Sequence, residues 1–262
     1  MNSRFYQIAF YDQYDLLHDT ESRLKKAKKI ISSISKFKED PSSLTCLDLG
    51  CSSGVITSAL QPYFRQMIGL DYDVAGLRAI PDESKERSTF IRGDALQLPF
   101  HEDSFDVVIC AQVYEHVLND LILFSEISRI IRTEGIIFFS GPNKLYPIEP
   151  HYKLPFLHWL PLSWADNYLR LSKKGKYFDI KSRTYHDLQG KLKEFIIYDM
   201  TRMLLKDQTQ GINTLDAFII RALLKLPMVF WRLILLPLIP NINWVIINPP
   251  SGLKKGSFHV MA

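Results

Sequence analysis

The pentapeptide at residues 50–54, with the sequence GCSSG, has a spacing that suits two kinds of chemistry. As G-x-S-x-G it matches the nucleophile elbow of an α/β-hydrolase, in which Ser52 would attack an acyl carbon. It also matches a glycine-rich nucleotide loop, G-x-G-x-G, in which Ser52 replaces the middle glycine. The flanking residues must therefore distinguish a serine hydrolase from an enzyme that uses a nucleotide-like cofactor.

Two carboxylates further along the chain favour the nucleotide loop. Asp71 lies 21 residues after Gly50, at the end of the second predicted strand, where a carboxylate can accept hydrogen bonds from two ribose hydroxyls. Asp94 follows the third predicted strand. A hydrolase elbow would come late in its sheet and would need an oxyanion loop of the HGGG type, which the sequence lacks. A nicotinamide enzyme would need G-x-G-x-x-G, and the loop does not have that spacing.

Short apolar runs alternate with helical periodicity along most of the chain. The apolar runs predict strands at 44–49, 66–70, 89–92, 105–110, 136–140, 195–201 and 243–248. Apolar residues three and four apart predict helices at 13–38, 55–60 and 118–132. Near-continuous apolar strands that alternate with helices form parallel sheets covered on both faces. We therefore predict an α/β fold with a doubly wound, seven-stranded sheet and a helical, apolar cap.

The same elements predict one domain over residues 1–262. It would consist of an N-terminal helical region at 1–40, a core with the glycine loop at 41–143, a lid insertion at 144–190, and a final part at 191–250. The final part would contain strands six and seven with an apolar helical insertion between them. The histidines and aromatic side chains of the lid suit a segment that covers a substrate.

Charge is distributed unevenly between the two parts of the chain. Residues 1–140 carry 15 Lys and Arg against 20 Asp and Glu, whereas residues 141–262 carry 17 against 8. A basic surface beside long apolar stretches favours an anionic membrane surface over nucleic acid as a partner. The three cysteines, Cys46, Cys51 and Cys110, fit no zinc spacing and no disulfide framework. They predict reduced thiols in the cytoplasm, and we predict no metal ligands.

The apolar segment at 215–240 contains three cations that would form one polar stripe on a continuous helix. Arg221, Lys225 and Arg232 fall within 40° of one another at 100° per residue. Charges and prolines interrupt every run long enough to span a bilayer. The pattern therefore predicts an interfacial helix, with the cations level with lipid phosphates and with Phe230 and Trp231 below them. The alternative is a helix pair that packs on the sheet or in a dimer.

Four linked motifs resemble those of class I S-adenosylmethionine-dependent methyltransferases of the broad small-molecule type. They are LDLGCSSG, GLDYD, GDALQLPFHEDSFDVVICAQVYEHV and EISRIIRTEGIIFFSGPN, and they follow the family's order over about residues 44–143. The sequence departs from the family in two places. Ser52 stands where a glycine is usual, and a turn that usually reads K-P-G-G reads RTEG at 132–135.

The resemblance implies S-adenosylmethionine as the cofactor and a doubly wound, mostly parallel, seven-stranded sheet of the Rossmann-like methyltransferase fold. It implies that Asp71 binds the ribose and that Asp94, with Ala95, meets the adenine. The other implied cofactor residues are Asp48, Gly50, Ser52 and Gly54 near the methionine part and Ala111 and Gln112 beside the sulfonium.

A hydroxyl acceptor would need a base, and the sequence offers several candidates. His116 is the first, in the YEH triplet after strand four, and Glu115 is its neighbour. His151 and His158 in the lid are rivals. Tyr11 and Tyr14, in the N-terminal helical region, could close over the cofactor or pack.

Together these features predict a methyltransferase that acts on an apolar or lipid-linked small molecule at the inner membrane surface, as a cytoplasmic, peripheral protein. Two alternatives stay open: a soluble small-molecule methyltransferase that dimerises through its apolar helices, and a non-catalytic subunit that binds S-adenosylmethionine. Residues 248–251 read NPPS and resemble the N-P-P-aromatic loop of nucleic-acid methyltransferases. They lie far from strand four and lack the aromatic residue that would stack a flipped base, so no nucleic-acid partner is predicted.

Overall fold

A computed structural model of the protein describes residues 11, 19–210, 212, 214–250, 252 and 256–261. The predicted N-terminal helix is present as α1, Thr20–Ile34, which begins at Asp19 because the Asp19 carboxylate accepts a hydrogen bond from the Ser22 amide. The predicted first turns at 13–18, and Tyr14 with them, lie outside the described residues. The apolar face of α1 is buried against the sheet and α2, Val55–Leu60.

The centre of the molecule is one mostly parallel sheet. Its strands lie in the order β10, β8, β9, β5, β4, β1, β2, β3. Only β9 runs antiparallel to its neighbours, β5 and β8. The strands are β1 Thr45–Leu49, β2 Gln66–Asp71, β3 Thr89–Arg92, β4 Phe105–Ala111, β5 Ile131–Pro142, β8 Ile196–Asp199, β9 Asn241–Ile247 and β10 Phe258–Val260.

The predicted doubly wound α/β fold is confirmed, with eight strands in the main sheet where the sequence predicted seven. The additional strand, β10, pairs in parallel with β8. It contains three residues, too few for an apolar pattern to stand out in the sequence. In β1, Cys46 is buried on one face of the sheet and Leu47 on the other, as expected for a sheet with helices on both sides.

Helices cover both faces of the sheet. The predicted helix at 118–132 is shorter in the structure, because the Asn119 side chain accepts hydrogen bonds from the first amides and Ile131 is already extended. The helices that follow α2 are α3 Val74–Arg78, α4 Asp82–Arg87, α5 Asp120–Ile130, α6 Leu162–Leu171, α7 Tyr185–Lys191, α8 Thr201–Thr209 and α9 Leu215–Leu224.

The lid insertion begins with a short antiparallel hairpin, β6 Ile148–Glu149 and β7 Leu154–Pro155. It has a small apolar core of its own, whose buried members are Leu154, Leu157, Ala165, Leu169, Phe178 and Ile180. The lid is tied to the central sheet through the residues after β4. The Lys181 amide donates to the Glu115 carbonyl, and the Lys181 ammonium donates to the Leu118 carbonyl.

The apolar insertion at 215–240 is two helical pieces and not one continuous helix. After α9, Pro227 precedes a short helix that begins at Met228 and widens into a π-helical turn at Trp231–Leu235. Trp231 is 2% exposed and its indole donates a hydrogen bond to the Leu223 carbonyl. The expectation that Trp231 faces lipid is therefore wrong. Within the described chain, no helix is both long and apolar enough to cross a membrane.

The predicted cation stripe is also altered by this break. The Arg232 guanidinium donates to the Phe258 carbonyl of β10 at 3.1 Å, so it is held against the sheet edge. Arg221 and Lys225 belong to α9 and its C-terminal end, on the other side of Pro227. The helical angle that placed the three cations together assumed a continuous helix, and Pro227 ends that continuity.

Candidate active site

The glycine loop begins where β1 ends and is bonded to the end of β2. The amides of Gly50 and Cys51 both donate to the Leu70 carbonyl, at 2.8 and 3.1 Å. Gly50, Ser52 and Gly54 have positive φ values of 75°, 50° and 71°. A side chain at Gly50 would come within 2.7 Å of Val113, so glycine is required there for both conformation and space.

Ser52 adopts a left-handed backbone conformation, with a φ of 50°, at the position where the similar methyltransferases usually have glycine. Its hydroxyl makes no contact that indicates a catalytic role. The Ser52 Oγ atom is buried and has no hydrogen-bond partner among the described residues. A nucleophilic serine needs a base within hydrogen-bond reach. The geometry therefore disfavours the nucleophile elbow and leaves the nucleotide-type loop.

Asp71 links the loop to the strand beside it. One carboxylate oxygen accepts from the Ser52 amide at 2.7 Å, and the other accepts from the Asp73 amide at 2.8 Å. Burial raises the pKa of Asp71, while these backbone hydrogen bonds oppose the shift. Each oxygen retains one lone pair, so the carboxylate can still accept hydrogen bonds from a vicinal diol.

Asp48, at the end of β1, lies beneath the loop. Its carboxylate accepts a hydrogen bond from the Thr57 hydroxyl at 2.6 Å. Burial raises the pKa of Asp48 to about 6, although the Thr57 hydrogen bond and the Arg23 charge act against it. The protonation state of this carboxylate thus changes in a mildly acidic range.

A cavity of about 340 Å³ lies at the carboxyl ends of β1, β2, β3 and β4. This edge of an open parallel sheet is where such folds bind ligands. The structure brings eight of the nine predicted cofactor residues to its wall: Asp48, Gly50, Ser52, Asp71, Asp94, Ala95, Ala111 and Gln112. The ninth, Gly54, does not line the cavity but precedes the first turn of α2.

Helix α1 contributes two cations that sequence analysis did not single out. Arg23 and Lys26 line the cavity, and the Arg23 guanidinium also donates to the Cys51 carbonyl at 3.3 Å. The three-residue spacing places both cations on one face of the helix, but nothing in the sequence indicated which face contacts the loop. Tyr11 lies near the same edge, where its amide donates to the Asp73 carboxylate at 2.8 Å.

Glu115 and His116, the pair after β4, lie at one side of the cavity. Glu115 is 0% exposed, and neither of its carboxylate oxygens accepts a hydrogen bond from a described residue. Burial raises its pKa to about 7, although the charge of His151 opposes the shift. His116 lines the cavity, and burial lowers its pKa well below the usual value, so at neutral pH its imidazole is uncharged.

The lid brings His151 to the same side of the cavity. Its ring meets that of His116 edge to face, with ring centroids 5.2 Å apart. The His151 Nδ1 atom lies 2.8 Å from Oε1 of the fully buried Glu149. Burial lowers the pKa of His151, but the hydrogen bond and charge of Glu149 outweigh it, so the net shift is upward.

Two features of this cluster differ from the sequence-based prediction. His158 does not belong to it: its Nε2 atom lies 2.6 Å from the Tyr146 carbonyl, away from the cavity wall. Glu149 was not predicted as a site residue, yet it holds His151. The spacing Glu-Pro-His is compatible with such a contact, but only the folded hairpin turns both side chains to one side.

The fold and the loop define this protein as a Rossmann-like domain with a nucleotide-type site. A family model described as a methyltransferase domain matches residues 47–139, which contain the loop, Asp71, Asp94 and the Glu115–His116 pair. The structure of a phosphoethanolamine N-methyltransferase from Haemonchus contortus, with S-adenosylhomocysteine bound, shares the fold. Its TM-score is 0.54 at 17% identity, over 86% of this chain and 53% of that chain.

Curated relatives carry the same domain. A probable S-adenosylmethionine-dependent methyltransferase of Mycolicibacterium smegmatis is 34% identical over 38% of this chain and 38% of its own length. A ubiquinone biosynthesis O-methyltransferase of Histophilus somni is 26% identical over 38% of this chain and 45% of its own. The chain thus spans less than half the length of these relatives. Residues 47–139 match a methyltransferase domain, and the relatives and the fold support the class I S-adenosylmethionine-dependent type.

Proposed function

We propose that the protein transfers a methyl group from S-adenosylmethionine to an apolar or lipid-linked acceptor at an anionic membrane surface. The observation that carries this proposal is the exposure of large apolar side chains on the insertion at 215–240. They are Leu215, Phe218, Ile219, Leu223, Val229, Phe230, Leu233, Ile234 and Leu238.

These side chains are too exposed to be explained by packing within the chain. Leu215, Leu233 and Phe218 are 74%, 72% and 65% exposed. Single exposed apolar residues are normal, but a run of them on consecutive helical turns marks a surface that meets protein or lipid. Arg221 and Lys225 on α9 add cations, each of which is worth about 1 kcal/mol beside an anionic bilayer. The combination favours lipid.

The insertion that bears the exposed apolar surface joins the sheet beside the cavity. The lid follows β5, the strand beside β4, and it places His151 on the cavity wall. The insertion at 215–240 precedes β9, whose first residue, Asn241, accepts a hydrogen bond from the Gln112 side chain at 3.4 Å. Gln112 lines the cavity. The insertion therefore returns to the sheet next to the cavity, which supports delivery of an acceptor from the membrane.

Transfer itself is an in-line displacement at the sulfonium methyl, so positioning supplies most of the acceleration. The cofactor would extend from Asp94 past Asp71 to the loop, with its sulfonium near Ala111 and Gln112. The acceptor would then lie against Glu115, His116 and His151. One relative is described as a ubiquinone biosynthesis O-methyltransferase, which supports an apolar acceptor that is methylated on oxygen.

Vesicle flotation tests the membrane part. We expect the protein to float with phosphatidylglycerol vesicles at low salt and to float less with phosphatidylcholine. The double variant Leu215→Ser, Phe218→Ser should lose flotation, and Arg221→Glu with Lys225→Glu should lose the preference for anionic lipid. The matched control is Leu121→Ser with Ile122→Ser, which changes two exposed apolar residues of α5.

Two results would contradict the assignment of the insertion at 215–240 as the lipid-binding surface. One is a wild-type protein that stays in solution and sediments as a dimer that the Leu215→Ser, Phe218→Ser variant dissociates. The insertion would then be a dimer surface on a soluble methyltransferase. The other is equal flotation of all variants, which would place the lipid contact elsewhere. A chain that binds S-adenosylmethionine but methylates no fraction of a cell extract would instead be a non-catalytic subunit.

A further inference from the structure

The buried carboxylate of Glu115 lacks the partners that a buried charge requires. Both oxygens are inaccessible and neither accepts a hydrogen bond from a described residue. Its ion-pair contacts are with two imidazoles: Oε1 lies 3.9 Å from Nε2 of His116 and 4.0 Å from Nε2 of His151. A buried carboxylate without donors is costly, so a cation at this position would stabilise it.

The distances are too long for direct hydrogen bonds and close to those between ligands of one metal ion. One ligand atom from each of Glu115, His116 and His151 can be chosen so that all three lie within 4.8 Å of one another. Ligands held at about 2.1 Å from a tetrahedral zinc ion lie roughly 3.4 Å apart. The two measured distances exceed that value by about 0.5–0.6 Å, and the third pair of ligand atoms lies within 4.8 Å.

Glu149 supplies the orientation that a histidine ligand needs. Its carboxylate lies 2.8 Å from His151 Nδ1, and its other oxygen accepts from the Tyr152 amide at 2.7 Å. A carboxylate on one ring nitrogen fixes the proton there and leaves the other nitrogen as a lone-pair donor. That other nitrogen, Nε2 of His151, is the one near Glu115.

We propose that Glu115, His116 and His151 bind one divalent transition-metal ion of the zinc class. Two imidazoles and one carboxylate are a known zinc ligand set, and imidazole nitrogens disfavour magnesium and calcium. Because His116 and His151 also line the cavity, the fourth coordination position would open onto it. If the proposed function holds, an oxygen atom of the acceptor would take that position, which would select acceptors with a hydroxyl or enol group.

Cobalt(II) is the probe, because its visible absorption reports coordination by protein ligands without any need for activity. Tag-free protein, stripped of metal with a chelator, is titrated with CoCl₂. We expect one equivalent to bind with the spectrum of a four- or five-coordinate site. Glu115→Gln, His116→Gln and His151→Gln should each weaken binding at least about tenfold, and Glu149→Gln by about 10- to 100-fold. The control His101→Gln removes an exposed histidine and should bind cobalt like the wild type.

Binding of S-adenosylhomocysteine, measured by calorimetry on the same samples, reports whether each variant is folded. Because cobalt binding is measured without a methyl acceptor, the metal site is tested independently of the proposed methyl transfer. The metal site is overturned if folded wild-type protein binds no stoichiometric cobalt. It is equally overturned if the variants at 115, 116 and 151 bind cobalt as the wild type does. In either case the cluster would hold a proton or a water molecule, and the proposed methyl transfer would stand on its own test.

Discussion

His151 and Glu149 form a carboxylate–imidazole pair within the lid hairpin, with 2.8 Å between Nδ1 and Oε1. The pair belongs to the insertion, whereas the loop and the acidic cofactor residues belong to the core. The lid thus adds to the cavity wall a histidine that lies outside the region matched by the family model, residues 47–139.

The pair predicts a specific effect of Glu149→Gln on turnover. The amide cannot hold the proton on Nδ1 as a carboxylate does, so His151 loses its fixed orientation. Turnover should fall by about 10- to 100-fold while the affinity for S-adenosylmethionine is unchanged. Steady-state kinetics and calorimetry measure the two quantities. Glu83→Gln, on exposed α4, is the matched control, and an equal loss there would mean that the effect is not specific to the pair.

Asp71→Ala should weaken cofactor binding and destabilise the glycine loop. The substitution removes the proposed ribose contacts and also the acceptors of the Ser52 and Asp73 amides. Hydrogen bonds to a charged group are worth about 1.5–3 kcal/mol each, so affinity should fall at least tenfold. We also expect a lower thermal midpoint, which loss of a ligand contact alone would not cause. Calorimetry and thermal unfolding measure the two effects, and unchanged affinity would remove Asp71 from the site.

Ser52→Ala should leave cofactor binding and turnover largely intact. The hydroxyl has no hydrogen-bond partner among the described residues, and alanine keeps the size of the loop. Activity measured with saturating cofactor should stay within about threefold of the wild type, a difference of less than 1 kcal/mol. Complete loss of activity in a folded variant would restore the nucleophile interpretation.

The raised pKa of Asp48 predicts that the free energy of unfolding depends on pH. Its pKa is about 6 in the folded protein against 3.8 for an ordinary aspartate, so the folded state favours the protonated form. The stabilisation of the folded state by this protonated carboxyl group is fully present below about pH 4 and is lost as the pH rises through 6. The loss amounts to about 3 kcal/mol at 1.36 kcal/mol per pKa unit. Between pH 4 and 7, Asp48→Asn should therefore lose less stability than the wild type in denaturant unfolding, and parallel curves would contradict the assignment.

The core could be predicted from sequence because its signals are local. Strands β1 to β5 are apolar runs, and the loop and Asp71 follow strand ends that meet at one edge of a parallel sheet. The contact between His151 and Glu115 could not be predicted, because it depends on how the lid folds back over β4. Trp231 was misjudged for a related reason: a helical angle calculated across Pro227 assumes a continuity that the proline removes.

The most direct test of the central claim is methyl transfer into a membrane fraction. The protein is incubated with S-adenosylmethionine labelled at the methyl group and with a membrane extract, and the label is followed into organic and aqueous phases. We expect label in the organic phase, in a molecule whose labelling falls when Asp71→Ala replaces the wild type. Label that appears only in water-soluble molecules would contradict it.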